Sequence, residues 1–241
     1  MEQKLVFHPL GDQAVLVSFG NSISQELSRA VYSLYHALRK NADPSWLDII
    51  PAYASVTVVF EARQLATQST SPYEAQVKKI RTVAELATEI QGKEQRKISI
   101  PVCYHPDFAF DSTAICKRMK LSEAELVDLH TEKSYFVYMI GFLPGFAYMG
   151  SVDPRIASPR LDKPRTLVPK GSVGIAGFQT GIYPFDSPGG WNIIGRTPIN
   201  MFDLKNEEPV LLQPGDEVHF YAIDINTFNE MQQQQPVSVQ S

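Results

Sequence analysis

The sequence predicts an α+β amino-terminal domain followed by a mainly-β domain built as a barrel or sandwich. Three observations carry that expectation. In the first ninety residues, two apolar stripes of helical period alternate with β-branched runs. Beyond Ile140 no helical stripe of useful length recurs, only short apolar runs between turns. Ten of the 14 glycines lie between Gly141 and Gly195, and eight of the 17 prolines between residues 141 and 200. That is the turn chemistry of a many-stranded β domain.

Taken in order, Ala14–Phe19 reads as a strand. Leu27, Val31, Leu34, Tyr35 and Leu38 then share one helical face, with Ser22 and Gln25 spaced as a capping box. Trp46–Ile50 and Ser55–Phe60 are β-branched or aromatic strands on either side of Pro51. A second helix opens on Ser71 as N-cap, Pro72 in the first turn and Glu74 completing the box. It buries Tyr73, Val77, Ile80, Ala84 and Ala87 and stops at Gly92. Strand, helix, two strands, helix is the order of a small ferredoxin-like unit.

Lys97–Cys103 alternates as a strand, with Pro101 favouring an edge position. Asp111 is a candidate cap for a short helix, and Ser122/Glu125 for another running to about His130. Ser134–Ile140 is a strand. Val173–Ile175, Trp191–Ile194, Ile199–Phe202, Val210–Leu212 and Val218–Ile223 follow as short apolar runs. The expected division is 1–92 for the α+β domain and 93–228 for the β domain, with 229–241 a tail too polar to pack.

Composition narrows the function classes. The net charge is −4, and the chain as a whole lacks the cationic face that nucleic acid or an anionic membrane requires. No apolar run is long enough to span a bilayer. The opening Met1-Glu2-Gln3-Lys4 is not a secretory signal, so a cytoplasmic location is expected, with Cys103 and Cys116 reduced. Charge is uneven, however. Residues 141–200 hold six basic side chains against three acidic ones, whereas the rest holds sixteen against 23. A cationic, turn-rich stretch in an acidic chain suggests a site for an anionic ligand.

Several signatures are missing. Gly171–Gly177 is glycine-rich but lacks the Gly-Lys-Ser/Thr ending and the strand-then-helix context of a nucleotide loop. The five histidines are scattered, and no metal-ligand spacing or Gly-x-Ser-x-Gly elbow occurs. Arg118-Met119-Lys120 falls in a predicted helix rather than on a hairpin tip, so no biotin is expected on this chain. The remaining candidates are Lys170 and Arg196 as cationic donors. Gln179 and Tyr183 would orient an amide or carboxyl group. Gly171, Ser172, Gly189 and Gly190 lie in the turns that let backbone approach a ligand.

Four dense motifs stand in sequence: Gly141-Phe-Leu-Pro-Gly-Phe-Ala-Tyr-Met-Gly150, Val168-Pro-Lys-Gly-Ser-Val-Gly-Ile-Ala-Gly177, Gln179-Thr-Gly-Ile-Tyr-Pro184 and Ser187-Pro-Gly-Gly-Trp191. Together they resemble the allophanate hydrolase subunit 1 family, also known as the carboxyltransferase C/D-subdomain family. Leu10-Gly-Asp12, Ile50-Pro-Ala-Tyr-Ala-Ser55 and Leu212-Gln-Pro-Gly-Asp216 extend the resemblance over nearly the whole chain. It implies that the second domain is a cyclophilin-like β-barrel. It also implies a subunit of an ATP-dependent 5-oxoprolinase that opens 5-oxo-L-proline to L-glutamate, with ATP bound by the assembled complex. The implied partners are a carboxyltransferase-related C subunit and an A subunit. The same family includes a sporulation histidine-kinase inhibitor and urea-carboxylating relatives, so a kinase partner or a carboxyltransferase role are the alternatives. One segment departs from the pattern: Cys103-Tyr-His-Pro-Asp-Phe108 is shorter than the loop of relatives and lacks its glycine pair.

Overall fold

The computed structural model describes residues 5–62, 71–87 and 96–234. It divides into two units, Met1–Glu94 and Gln95–Ser241. In the first, strands β1 (Val6–Pro9), β2 (Ala14–Ser18), β3 (Trp46–Pro51) and β4 (Ser55–Phe60) form one antiparallel sheet in the order β1-β2-β4-β3. Its edge beside β2 is β1, a strand the sequence reading omitted, where a ferredoxin-like unit would place a strand following the second helix.

Period-two alternation decides which face is core. Val15, Val17, Val56, Val58 and Phe60 are buried with Val31, Leu34 and Leu38 of helix α1 (Gln25–Lys40) and Ile80 of α2 (Pro72–Ala87). The N-cap of α1 is Ser24, whose hydroxyl accepts from Leu27 N at 3.1 Å, rather than Ser22. Helical geometry starts at Gln25, so Ser22 stands too early to reach an orphan N–H. At α2, Ser71 does accept from Glu74 N, at 3.2 Å. The expected stop at Gly92 lies outside the described residues. Sequence periodicity also missed Gln76, which is buried: it accepts from Trp46 Nε1 at 2.7 Å and donates to Ser45 Oγ at 3.1 Å.

The second unit is a closed barrel of seven strands: β5 (Lys97–Cys103), β6 (Ser134–Ile140), β7 (Ala147–Gly150), β9 (Ser172–Ala176), β10 (Gln179–Ile182), β12 (Asn192–Arg196) and β13 (Glu217–Ile223). They run in the order β10-β7-β6-β13-β5-β12-β9, with β8 (Arg165–Val168) and β11 (Ser187–Gly189) forming a separate ribbon. Among the described residues, β5 and β13 are the strands that pair in parallel. Val102, Val137, Met149, Val173, Ile175, Ile182, Val218 and Phe220 fill the interior. Helices α3 (Ser112–Met119) and α4 (Glu123–Thr131) connect β5 to β6. At α4 both halves of the capping box form between Ser122 and Glu125.

Three expectations need correction. A closed barrel has no free edge, yet β12 reaches β5 at a single pair, Arg196↔Cys103, so the missing N–H of Pro101 interrupts little pairing. Ile199–Phe202 and Val210–Leu212 make one isolated bridge, Phe202↔Val210, instead of strands. Helix α5 (Ile225–Gln234) runs six residues into the segment expected to be a loose tail. It needs no stripe: Asp224 Oδ1 accepts from Thr227 N at 2.8 Å, and the buried Phe228 ring lies 4.6 Å from that of Phe108.

A polar chain crosses the barrel core at His130, which is fully buried. Its Nε2 lies 2.9 Å from Thr180 Oγ1 and its Nδ1 2.7 Å from Tyr104 Oη. Thr180 spends its single hydroxyl proton on Gly174 O at 3.1 Å. It therefore accepts from Nε2–H, and Nδ1 accepts from the Tyr104 hydroxyl. Phe220 stacks on the ring at 4.7 Å, Tyr135 packs at 5.3 Å, and burial drives the His130 pKa down to about 3. The unfolded chain, with a value of about 6.5, binds the proton that the folded chain refuses. Stability is therefore complete above pH 6.5 and falls as pH is lowered towards 3. The stability advantage of the wild type over His130→Gln should shrink by about 1.4 kcal/mol per pH unit below pH 6, measured by urea unfolding. A pH-independent difference would contradict the neutral, buried assignment.

Candidate functional site

Lys170 and Arg196 meet at one end of the barrel because three short backbone bonds tie their strands together. Thr197 N donates to Gly171 O at 2.9 Å, Gly171 N to Tyr183 O at 2.8 Å, and Tyr183 N to Ser172 O at 2.9 Å. Gly171 sits at φ +81, and a Cβ there would collide with Thr197 O. Only glycine permits that approach. The Arg196 guanidinium donates from Nε to Lys170 O at 2.8 Å and lies 5.7 Å from the Phe108 ring centre. Among the described residues its two Nη nitrogens carry no hydrogen bond. Burial pulls the Arg196 pKa below its ordinary value, and the Asp186 charge opposes that shift. The group stays cationic regardless. Asp186 also accepts from Lys170 N at 2.6 Å, holding the backbone of the second cation in place.

The other candidates divide. Ser172 is buried at the start of β9, beside Gly171. Tyr183 does not line a surface: it is 1% exposed, packed edge-on against Phe146 at 5.3 Å and hydrogen-bonded to the Trp191 backbone. Gly189 is glycine because a Cβ would strike the Tyr183 ring and hydroxyl. Gly190 O accepts from Leu161 N at 2.8 Å in the turn after β11. Gln179 begins β10 and Tyr183 follows that strand's other end, about 13 Å of extended chain away. Lys170, Gly171, Ser172 and Arg196 therefore come together with the backbone of Tyr183, whose ring is buried, whereas Gln179 stands at the other end of β10.

The local charge surplus is smaller in space than along the chain. Arg155 pairs with Asp153 at 2.9 Å. Arg165 forms a two-pronged pair with Asp111, from Nη1 at 2.9 Å and Nη2 at 2.7 Å. Asp111, expected as a helix cap, makes no side-chain cap bond; its carboxylate also accepts from Ile193 N at 2.6 Å. Sequence reading missed this pair because 54 residues separate its members.

The glycine run 171–177 offers no phosphate cradle. Residues Ser172–Ala176 are a fully buried strand paired on both sides, with β10 and β12, so their backbone donors are committed. Among the described residues no group of three His, Cys, Asp or Glu side chains could hold a metal ion. No helix there is long and apolar enough to cross a membrane. Burial pushes both thiols, Cys103 and Cys116, above their ordinary pKa.

Residues 5–212 match the family model of the carboxyltransferase domain, subdomain C and D. The chain is 38% identical over 219 residues to the B subunit of 5-oxoprolinase from Bacillus subtilis, covering 89% of this chain and 91% of that protein. The crystal structure of TTHA0988 superposes with a TM-score of 0.74 at 32% identity, over 88% of this chain and 40% of that one. Urea amidolyase of Saccharomyces cerevisiae is 25% identical over an alignment of 264 positions, gaps included, that covers 96% of this chain but 14% of that protein.

Proposed function

Because the chain belongs to the carboxyltransferase subdomain C and D family, we propose that it is the B subunit of an ATP-dependent 5-oxoprolinase, active in the cytoplasm only with partner subunits of the C and A type. The same proposal takes residues 1–92 as a ferredoxin-like domain and the barrel as cyclophilin-like. The observation that carries the proposal is the half-buried Arg196 guanidinium, held through Nε while both Nη donors remain available beside Lys170.

The chemistry asks for such a group. The lactam amide of 5-oxoproline is resonance-stabilised. Transfer of a phosphoryl group from ATP to its oxygen creates a leaving group. One water then adds to the carbonyl carbon, and the ring C–N bond breaks as the nitrogen takes up a proton. The resulting γ-glutamyl phosphate is hydrolysed by a second water to glutamate and phosphate, ADP having left after the transfer. Negative charge develops at the carbonyl and phosphoryl oxygens, where fixed cations lower the barrier most. Lys170 and Arg196 fill that role, binding substrate carboxylate or phosphate. With β9 closed as a strand, ATP is assigned to the assembled complex rather than to this chain alone.

In the assembled complex, Lys170→Ala and Arg196→Ala should each lower 5-oxoproline-dependent ATP hydrolysis, Arg196→Ala by about 100-fold or more. Complex formation, read by gel filtration, should be unaffected. Unchanged turnover in both variants would remove the assignment.

A further inference from the structure

The ends of three strands bring two aromatic rings to the Arg196 guanidinium. Cys103, the last residue of β5, pairs with Arg196 of β12 on one side and with Ile223, the last residue of β13, on the other. The chain leaving β5 carries Phe108, and the chain leaving β13 carries Phe228 in the first turn of α5. The register therefore delivers both rings to the end of β12 that holds Arg196. The Phe108 ring centre lies 5.7 Å from the Arg196 guanidinium carbon and 4.6 Å from the ring centre of Phe228.

One hydrogen bond does not fix a guanidinium. The bond from Nε to Lys170 O, 2.8 Å long, anchors one nitrogen and leaves the plane free to swing, carrying both Nη donors with it. The Phe108 ring supplies a second constraint. It stands within the roughly 6 Å range of cation–π attraction, and a planar guanidinium suits an aromatic face better than an ammonium does. Among the described residues no carboxylate makes an ion pair with Arg196, so the ring restrains the cation without neutralising it. Phe108 is half-buried and steadied in turn: its N–H donates to His105 O at 2.8 Å, and its ring meets Phe228. Phe228 is 1% exposed and is the buried residue of α5. The helix thus directs its buried contact at the ring that meets Arg196.

We propose that Phe108 is a positioning residue for the anion site and that Phe228 acts through it, so that α5 braces the Arg196 guanidinium and keeps its two Nη donors in one orientation. The inference rests on the reading of Lys170 and Arg196 as the anion site of a 5-oxoprolinase, and adds the groups that hold Arg196 in place. A donor already oriented need not reorganise as negative charge develops, so loss of the brace falls on kcat.

The first measurement follows exchange with water of the Arg196 Nε–H resonance in the full chain, assigned by its loss in Arg196→Lys. Exchange should quicken about fivefold in Phe108→Leu and in Phe228→Ala, whereas Phe108→Tyr, which keeps an aromatic face, should stay within about twofold of the wild type. The second is 5-oxoproline-dependent ATP hydrolysis by the assembled complex. Phe108→Leu should lower kcat about fivefold with KM little changed, and Phe108→Tyr should restore most of it. In the Arg196→Ala background Phe108→Leu should cost nothing further, because a residue acting through Arg196 has nothing left to orient. Unchanged exchange in either Phe108→Leu or Phe228→Ala, or an equal loss of kcat in both backgrounds, would overturn the proposal and leave the reading of Arg196 standing. Undiminished turnover in Arg196→Ala beside quickened exchange in Phe108→Leu would overturn that reading and leave the brace.

Discussion

Arg165→Ala is expected to cost about 3 kcal/mol of folding stability or more, the range for breaking a buried ion pair from one side. Asp111 is 7% exposed. Its two oxygens share three donors, two from the Arg165 fork and one from Ile193 N. Removing the guanidinium leaves a buried carboxylate with one neutral partner, and that unpaired charge is the larger part of the penalty. Asp111→Asn in the same background should recover part of the loss. It removes the charge and keeps an oxygen for Ile193 N–H. Urea unfolding at pH 7 with an unchanged m-value is the measurement. A loss below about 1 kcal/mol, as for an exposed pair, would show that Asp111 is solvated after all.

Gly171→Ala has the second large effect, and it couples stability to the candidate site. The left-handed backbone alone costs an L-residue about 1–2 kcal/mol. Here the added methyl also runs into the Thr197 carbonyl, a backbone atom with nowhere to go. A total of about 3 kcal/mol or more is expected. The Thr197 N–Gly171 O bond that sets Arg196 against Lys170 should be displaced with it. Gly177→Ala is the control. Its φ is +58, yet nothing lies within 4 Å of the new Cβ, so only the conformational penalty applies. Equal losses in the two variants, by thermal or urea unfolding, would remove steric closure at Gly171 as the cause.

Local signals in the sequence translated well into structure. The Ser122/Glu125 capping box is contained in four residues and forms as expected. The stripe of Val31, Leu34 and Leu38 marks its own buried face. At Ser22 against Ser24 the spacing rule found the right turn but the wrong hydroxyl, because the chain offers two serines and only geometry selects between them. Signals fail where a single long-range contact decides. One buried ring, Phe228, anchors α5 and leaves no periodicity to detect. Asp111 reads as a cap, and its actual partner lies 54 residues away. Within the candidate site, charge composition singled out Lys170 and Arg196, and the fold brings the Arg196 guanidinium to the Lys170 carbonyl. The burial of Tyr183 was not legible, because the glycine it packs on, Gly189, signals a close approach without saying whether a ligand or a ring makes it.

The most direct measurement compares this chain alone, the C- and A-type partner subunits alone, and the mixture of all three, each assayed for 5-oxoproline-dependent release of phosphate from ATP. Turnover only in the mixture is the predicted result. It is to be lost when Lys170 and Arg196 are both replaced by alanine while the complex still forms. Full-rate turnover by the isolated chain, or by the partners without it, would contradict the assignment of a shared anion site to this barrel.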